Sequence, residues 1–225
     1  MRHELHVRDL IITTDNSGAI GEKERDEIKA SDLTTAKFSA RVALLEQWAA
    51  GSEPFAVLLH NFSGAEHWER YVAGITELFR ETGLPPFPIT GSSETNMKML
   101  QSALSVTMIG ERKKEISNSN LKWYVYGLPL TGENVIKQST DVADLKQINE
   151  LRKAEIIESI WPVGSKGIAA EVSLMLGKAL LPVSGLDLSA SGGPSTAVLI
   201  GAEQQNCQLV EDHLNGPLFH LSFID

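Results

Sequence analysis

The stretch Thr34–Ala50 narrows the fold more than any other part of the chain. Ser31 or Asp32 can cap its start, and at about 100° per residue Phe38, Val42, Leu45 and Ala49 share one helical face. Trp48 flanks that face. From Phe38 to Ala50 the only charges are Arg41 and Glu46, at opposite margins of the stripe. A helix so poor in charge is covered on more than one side, so it belongs between layers and not on a surface. Gly51 ends it and Pro54 prevents its continuation. Glu46 either reaches solvent at the helix edge or needs a partner or a metal to offset burial of its charge.

The segments on either side fit strands. Val7–Thr14 is rich in β-branched residues and leads into Asp15-Asn16-Ser17-Gly18-Ala19-Ile20-Gly21. An acidic residue before a Gly-containing turn can contact a cation or phosphate, and is equally what an ordinary turn looks like. The charged run GEKERDEIKA that follows reads as a solvated loop. Phe55–Phe62 reads as a buried strand with His60 and Asn61 at its C-terminal end, where His60 is a structural or a catalytic histidine. Ala65–Thr82 is an amphipathic helix with Trp68, Val72, Ile75 and Phe79 on one face and Gly83 after it. A strand over Leu104–Ile109 completes an alternation of strands and helices, the pattern of a two-layer mixed domain.

The polar run Glu111–Asn120 reads as a linker, placing one domain at 1–113 and a second at 121–225. The second restarts with an aromatic strand, Leu121–Gly127, and a turn at Pro129–Glu133. A short strand is expected at Asn134–Lys137 and a helix over Asp144–Ser159. Val163–Gly167 is a Gly-rich turn before a helix at Ile168–Leu180. Such a turn can bind an anion through backbone N–H groups, with Lys166 adding charge, or can be a capped turn with an exposed lysine. Leu186–Ser189 is a loop or short strand, and Ala190–Ser195 a flexible loop. A buried strand at Thr196–Gly201, a helix at Ala202–Leu214 and an edge strand at Leu218–Ile224 finish the chain. The fold class is α+β, a mixed α/β chain in two domains.

One stretch has the composition of a site. Gly91-Ser92-Ser93-Glu94-Thr95-Asn96 lies between two apolar runs. Gly91 permits close backbone approach, the hydroxyls donate and accept, and Glu94 offers a hard oxygen suited to Mg2+. A polar turn between strands has the same composition. The whole-chain charge of −9 disfavours a phosphate backbone, so nucleic acid is not an expected partner. The single cysteine, Cys207, excludes an internal disulfide and fits a reducing cytoplasm. No apolar run approaches the roughly 20 residues of a membrane span, and MRHELHVRDL lacks the apolar core of a leader, so no membrane partner is expected.

Three stretches in order resemble the superfamily of aminoimidazole ribonucleotide synthetase, thiamine-phosphate kinase and selenophosphate synthetase. The superfamily's DGVGTK-like segment, NDLAAMGAxP helix and GGDT or GGET element read here as DNSGAIG from Asp15, LLEQWAAGSEP ending at Pro54, and SSET at Ser92–Thr95. SKGIAAE at Ser165–Glu171 resembles a further SDGLAAD element. The chain is most similar to the short α-ribazole kinases of cobalamin salvage, through TTDNSGAIGEKE, RVALLEQWAAGSEPFAVLLHNFSG, ITGSSETN, LQSALSVTMIGE and VGSKGIAAE.

That resemblance implies an aminoimidazole-ribonucleotide-synthetase-like N-terminal domain binding ATP and Mg2+, a shortened α/β C-terminal domain, and a homodimer acting on a small nucleoside. It implies that Asp15, Glu46 and Glu94 hold the metal. It also implies nucleotide contacts from Asn16, Ser17, Gly18, Gly91, Ser92, Ser93 and Thr95. Ser92 and Ser93 stand where relatives have glycines, and Lys166 stands where many have Asp, so Lys166 can contact phosphate but cannot hold metal. His60 is the one residue named as a general base. The function implied is phosphorylation of the ribose 5′-hydroxyl of α-ribazole. Another small-molecule phosphotransferase or cyclo-ligase, or a non-catalytic ATP-sensing dimer, remains open. The loops Gly21–Leu33 and Ser189–Ser195 are long or Gly-rich enough to close over a ligand.

Overall fold

Alternating apolar residues in the first half of the chain build one five-stranded sheet with helices on a single face. The computed structural model describes residues 4–224, so the first residues of MRHELHVRDL lie outside the described residues. The chain divides into one unit ending at Glu115 and another beginning at Ile116.

In the first unit β1 (Leu5–Val7) and β2 (Leu10–Gly18) form a hairpin whose turn places Arg8 in the left-handed region, φ 56°. The predicted strand Val7–Thr14 is therefore broken at its start. It is also longer at its end, because Asp15–Gly18 go on pairing with Val106–Ala103. Asp15 and Asn16 are strand residues, not turn residues. The short pair β3 (Ile20–Gly21) and β4 (Ile28–Lys29) follows within the run expected to be a solvated loop, where Asp26 is buried.

Helix α1 (Asp32–Ala49) is capped by Ser31, whose hydroxyl accepts the Thr34 N–H at 3.1 Å. It is buried on several sides, as its lack of charge requires. Its tightest positions are Ala36, Ala40, Ala43, Leu44 and Leu45, while Phe38 and Val42 are only partly buried. Small residues sit where backbones approach closely. Thr13 donates to the Ala43 carbonyl at 2.8 Å, and Gln47 Nε2 donates to the Ile11 and Met108 carbonyls at 2.9 and 3.0 Å.

Next come β5 (Ser52–Asn61), a single 3-10 turn at Ala65–His67, α2 (Trp68–Glu81), β6 (Ile89–Ser93) and β7 (Ala103–Arg112). Tyr71, Gly74, Ile75, Leu78 and Phe79 form the buried face of α2, a stripe rotated from the predicted one because Trp68 and Val72 stay partly exposed. A Cβ on Gly74 would lie 2.2 Å from the Leu33 carbonyl oxygen, so this glycine sets the α1–α2 approach. The sheet order is β1-β2-β7-β5-β6, antiparallel except for β5 with β6.

The second unit has a four-stranded antiparallel sheet, ordered β11-β8-β10-β9, from β8 (Lys122–Tyr126), β9 (Ser159–Pro162), β10 (Val198–Ala202) and β11 (Leu218–His220). The expected strand at Asn134–Lys137 is instead the short helix α3, anchored by buried Val135. The helix expected over Asp144–Ser159 is α4 (Leu145–Lys153). It stops before Glu155, which adopts φ 55°, and Ser159 already belongs to β9. Helix α5 (Gly167–Leu176) ends at Gly177, φ 65°, short of Leu180. Helix α6 (Cys207–His213) begins after β10 has run on to Ala202. Trp123, Val125, Val163, Ile168, Val172 and Leu199 anchor this unit's core.

Candidate functional site

The two-residue period of the strands divides the candidate residues between two faces. Asn16 pairs with Ser105, Ser105 with His60, and His60 with Ser92, giving one polar row across four strands. Asn16, His60 and Ser92 are exposed on the face away from the helices. Asp15, Ser17, Gly91 and Ser93 belong to the alternate, helix-facing set. Gly91 is needed there for steric reasons, since a Cβ would lie 1.8 Å from the Leu59 carbonyl oxygen. Gly18 has open space around it.

Asp15 and Glu46 come together between sheet and helix. Burial pushes the Asp15 carboxyl up to about 7, hydrogen bonds from the Asn16 backbone and the Ser39 side chain oppose this, and the charge of Glu46 adds to it. Glu46 is 9% exposed. Two carboxylates that oppose each other's ionisation suit a shared divalent cation, which relieves both the repulsion and the burial.

Glu94 stands apart from this pair. Its Oε1 accepts the N–H groups of Asn96 and Met97 at 2.6 and 3.0 Å, and these bonds hold its carboxyl below the usual range. Among the described residues no three His, Cys, Asp or Glu side chains are arranged to hold a metal ion. The expected triad is thus not gathered: Asp15 and Glu46 are near one another, and Glu94 lies beyond the end of β6.

What Glu94 does line is a cavity of about 760 Å³, together with Thr95, Ser63 and His67, the cations Lys23, Arg25 and Lys98, and the further acids Glu22, Glu24 and Glu66. The loops around it are tied by Asn61 and Asp26. Asn61 Nδ2 donates to Ser93 Oγ at 2.9 Å and to the Gly64 carbonyl at 2.7 Å, while the Asn61 backbone carbonyl accepts the Glu94 N–H at 2.7 Å. Asp26 accepts from Lys23 N–H at 2.8 Å and, at 2.7 Å each, from the backbone and hydroxyl of Ser102. Lys23 and Arg25 escape the sequence reading because a charged run looks like a solvated loop. His67 escapes it because its partner, Asp32, is distant in sequence.

Lys166 is exposed in the second unit, just before α5. The adjoining turn already serves a carboxylate of its own helix: Glu171 accepts the Gly164 N–H at 3.2 Å and the Trp161 Nε1–H at 2.8 Å. A negative side chain at that turn opposes capture of a second anion.

No family model matches the sequence, and no curated protein matches it either. Solved structures do. HypE in the HypE–HypF complex is 14% identical with a TM-score of 0.66, over 99% of this chain and 87% of that one. Thiamine monophosphate kinase from Aquifex aeolicus is 12% identical with a TM-score of 0.59, over 96% and 86%. T. maritima PurL complexed with ATP is 12% identical with a TM-score of 0.60, over 99% of this chain and 42% of that one. The chain therefore has the mixed α/β, aminoimidazole-ribonucleotide-synthetase-like fold that these proteins share.

Proposed function

We propose that the chain is an ATP- and Mg2+-dependent kinase that phosphorylates the ribose 5′-hydroxyl of α-ribazole in cobalamin salvage, as a cytoplasmic homodimer. The observation that carries this reading is the cavity beside Glu94 and Thr95, where Lys23, Arg25 and Lys98 offer positive charge to phosphates and Glu22, Glu24, Glu66 and Glu94 offer carboxylates to a cation. The fold resembles that of part of PurL, which has been solved in complex with ATP. The choice of acceptor rests on the sequence resemblance alone.

In this reading the first unit binds nucleotide. Lys23 and Arg25 offset phosphate charge, the Thr95 hydroxyl hydrogen-bonds a phosphate oxygen, and Asp15 with Glu46 forms the acidic pair that a Mg2+ requires. A Mg2+ held by that pair would relieve its repulsion, while one held by the cavity's own acids, Glu94 among them, would neutralise charge on the ATP phosphates. The exposed Asn16 and Ser92 are available to a ligand or second subunit on the helix-free face. Catalysis in such transfers is mostly positioning and electrostatics.

Mass spectrometry of the protein incubated with MgATP and α-ribazole, beside parallel nucleosides, tests the proposal. One added phosphate on α-ribazole with matching ADP supports it, and phosphorylation of a different acceptor replaces the substrate. D15A and E94A are expected to lose turnover while keeping the fold. A second reading, an ATP-sensing dimer without turnover, is favoured by the separation of Glu94 from the Asp15–Glu46 pair. MgATP-dependent thermal stabilisation without any product would select it.

A further inference from the structure

We infer that His67 is the proton acceptor facing the cavity, with Asp32 as the residue that positions it; the inference rests on the kinase reading. His67 closes the 3-10 turn before α2, is 6% exposed and lines the cavity. Its Nδ1 lies 2.7 Å from Oδ2 of Asp32, the first residue of α1, which is 0% exposed. Arg70 Nε donates to the same oxygen at 2.7 Å, offsetting the burial of the carboxylate's charge, while Oδ1 has no hydrogen-bond partner among the described residues.

Arg70 Nη2 also lies 3.3 Å from Nδ1, but an ionised carboxylate can only accept and its 2.7 Å contact is the shorter, so the proton is placed on Nδ1 and the lone pair on Nε2. Nε2 lies 3.7 Å from Oε1 of the exposed Glu66, an ion-pair distance beyond hydrogen-bond range. The imidazole also stacks on Tyr71, with ring centroids 6.0 Å apart, and the Tyr71 hydroxyl is paired with Ser63 at 2.7 Å. Buried, oriented from behind and without a hydrogen bond at its outer nitrogen among the described residues, His67 has the arrangement of a carboxylate-supported base. His60, by contrast, sits on the helix-free face in the row with Ser105 and Ser92.

In the step, the acceptor hydroxyl gives its proton to His67 Nε2 as its oxygen bonds to the γ-phosphorus of ATP. The bond from γ-phosphorus to the β–γ bridging oxygen breaks, and its electron pair leaves on ADP. Asp32 stabilises the resulting imidazolium, which then returns the proton to water. Lys23, Arg25 and Lys98 line the same cavity beside Glu22, Glu24, Glu66 and Glu94, and can face the phosphoryl oxygens.

Kinetics of H67A in the full chain, with MgATP and α-ribazole, test the assignment. The expected result is a fall in kcat of about 10²–10⁴-fold with the KM for ATP unchanged, partly restored by added imidazole. A kcat within about threefold of wild type, or a large loss that imidazole does not relieve, overturns it. Nitrogen NMR of the wild-type protein labelled in histidine, assigned with H67N, is the second measurement. It should find the Nδ1–H tautomer, with the Nε2 resonance moving when MgATP and α-ribazole are added. If the wild type phosphorylates nothing, the kinase reading fails by itself, and the spectrum decides the inference. An unprotonated Nε2 that responds to these ligands then upholds His67 as the acceptor facing the bound hydroxyl, without a transfer step, and a proton on Nε2 or an unresponsive resonance overturns it.

Discussion

Asp26 and Ser102 are joined twice, Oδ1 accepting the Ser102 N–H and Oδ2 its hydroxyl, each at 2.7 Å. This contact fastens the charged loop after β3 to the segment following the GSSETN stretch, joining two walls of the cavity. Asp26 is buried, and its removal leaves the Ser102 and Lys23 N–H groups without their acceptor. D26A should therefore cost about 2–3 kcal/mol in urea denaturation, and MgATP-induced thermal stabilisation should shrink with it. D26N, which keeps one acceptor oxygen, should lose less. A D26A variant as stable as wild type would remove the contact from the account of the cavity.

Gln47 is fully buried, and its side chain completes the α1–sheet contact: Nε2 donates to two strand carbonyls, and Oε1 accepts the Ser52 hydroxyl at 2.6 Å. Q47L keeps the bulk and removes the donors, so a loss of about 2 kcal/mol is expected, mainly from the stranded Ser52 hydroxyl. G110A should be worse, because a Cβ there would lie 2.1 Å from Gln47 Oε1 and 2.5 Å from Ser52 Oγ. Melting temperatures of the two variants measured side by side check this order.

Gly91 precedes two serines that stand where the related motif has glycines. With a Cβ in contact with the Leu59 backbone, G91A has to push β6 away from β5, and with it Ser93 and Glu94. S92A, on an exposed position, disturbs nothing comparable. Hydrogen exchange should show faster opening at Leu59–Asn61 in G91A and unchanged protection in S92A.

Charge poverty in α1 and the helix-ending Gly51 and Gly83 made the layered first unit legible in the sequence, and Ser31 was one of two readable caps. The strand ends were not legible. Asp15–Gly18 reads as a turn by composition, and only pairing with Val106–Ala103 makes it strand. Asn134–Lys137 has β-branched residues but is too short to bury them as an isolated strand, and it coils to anchor Val135. The site was legible as a list of acids but not as a geometry. Asp15 and Glu46 meet because β2 lies against α1, whereas Glu94 satisfies the N–H groups of its own turn. The Asp32–His67 contact joins two helix starts that no local spacing connects.

Asp15 gives the chain a pH dependence of defined sign. Its carboxyl rises from 3.8 to about 7 in the folded protein, chiefly through burial and further through Glu46. Between those values the folded state holds a proton that the unfolded state has released, so stability falls as pH rises through that window and levels off above it. The ceiling for such a rise is about 4 kcal/mol, and partial solvent access lowers the expectation to about 2. With EDTA present, D15N should match wild type near the lower end of the window and exceed it by about that amount at pH 8. Magnesium then separates a strained carboxylate from a ligand. A cation held by Asp15 raises the stability of the wild type at pH 8 and leaves D15N unchanged, whereas equal stabilisation of both takes Asp15 out of the metal site.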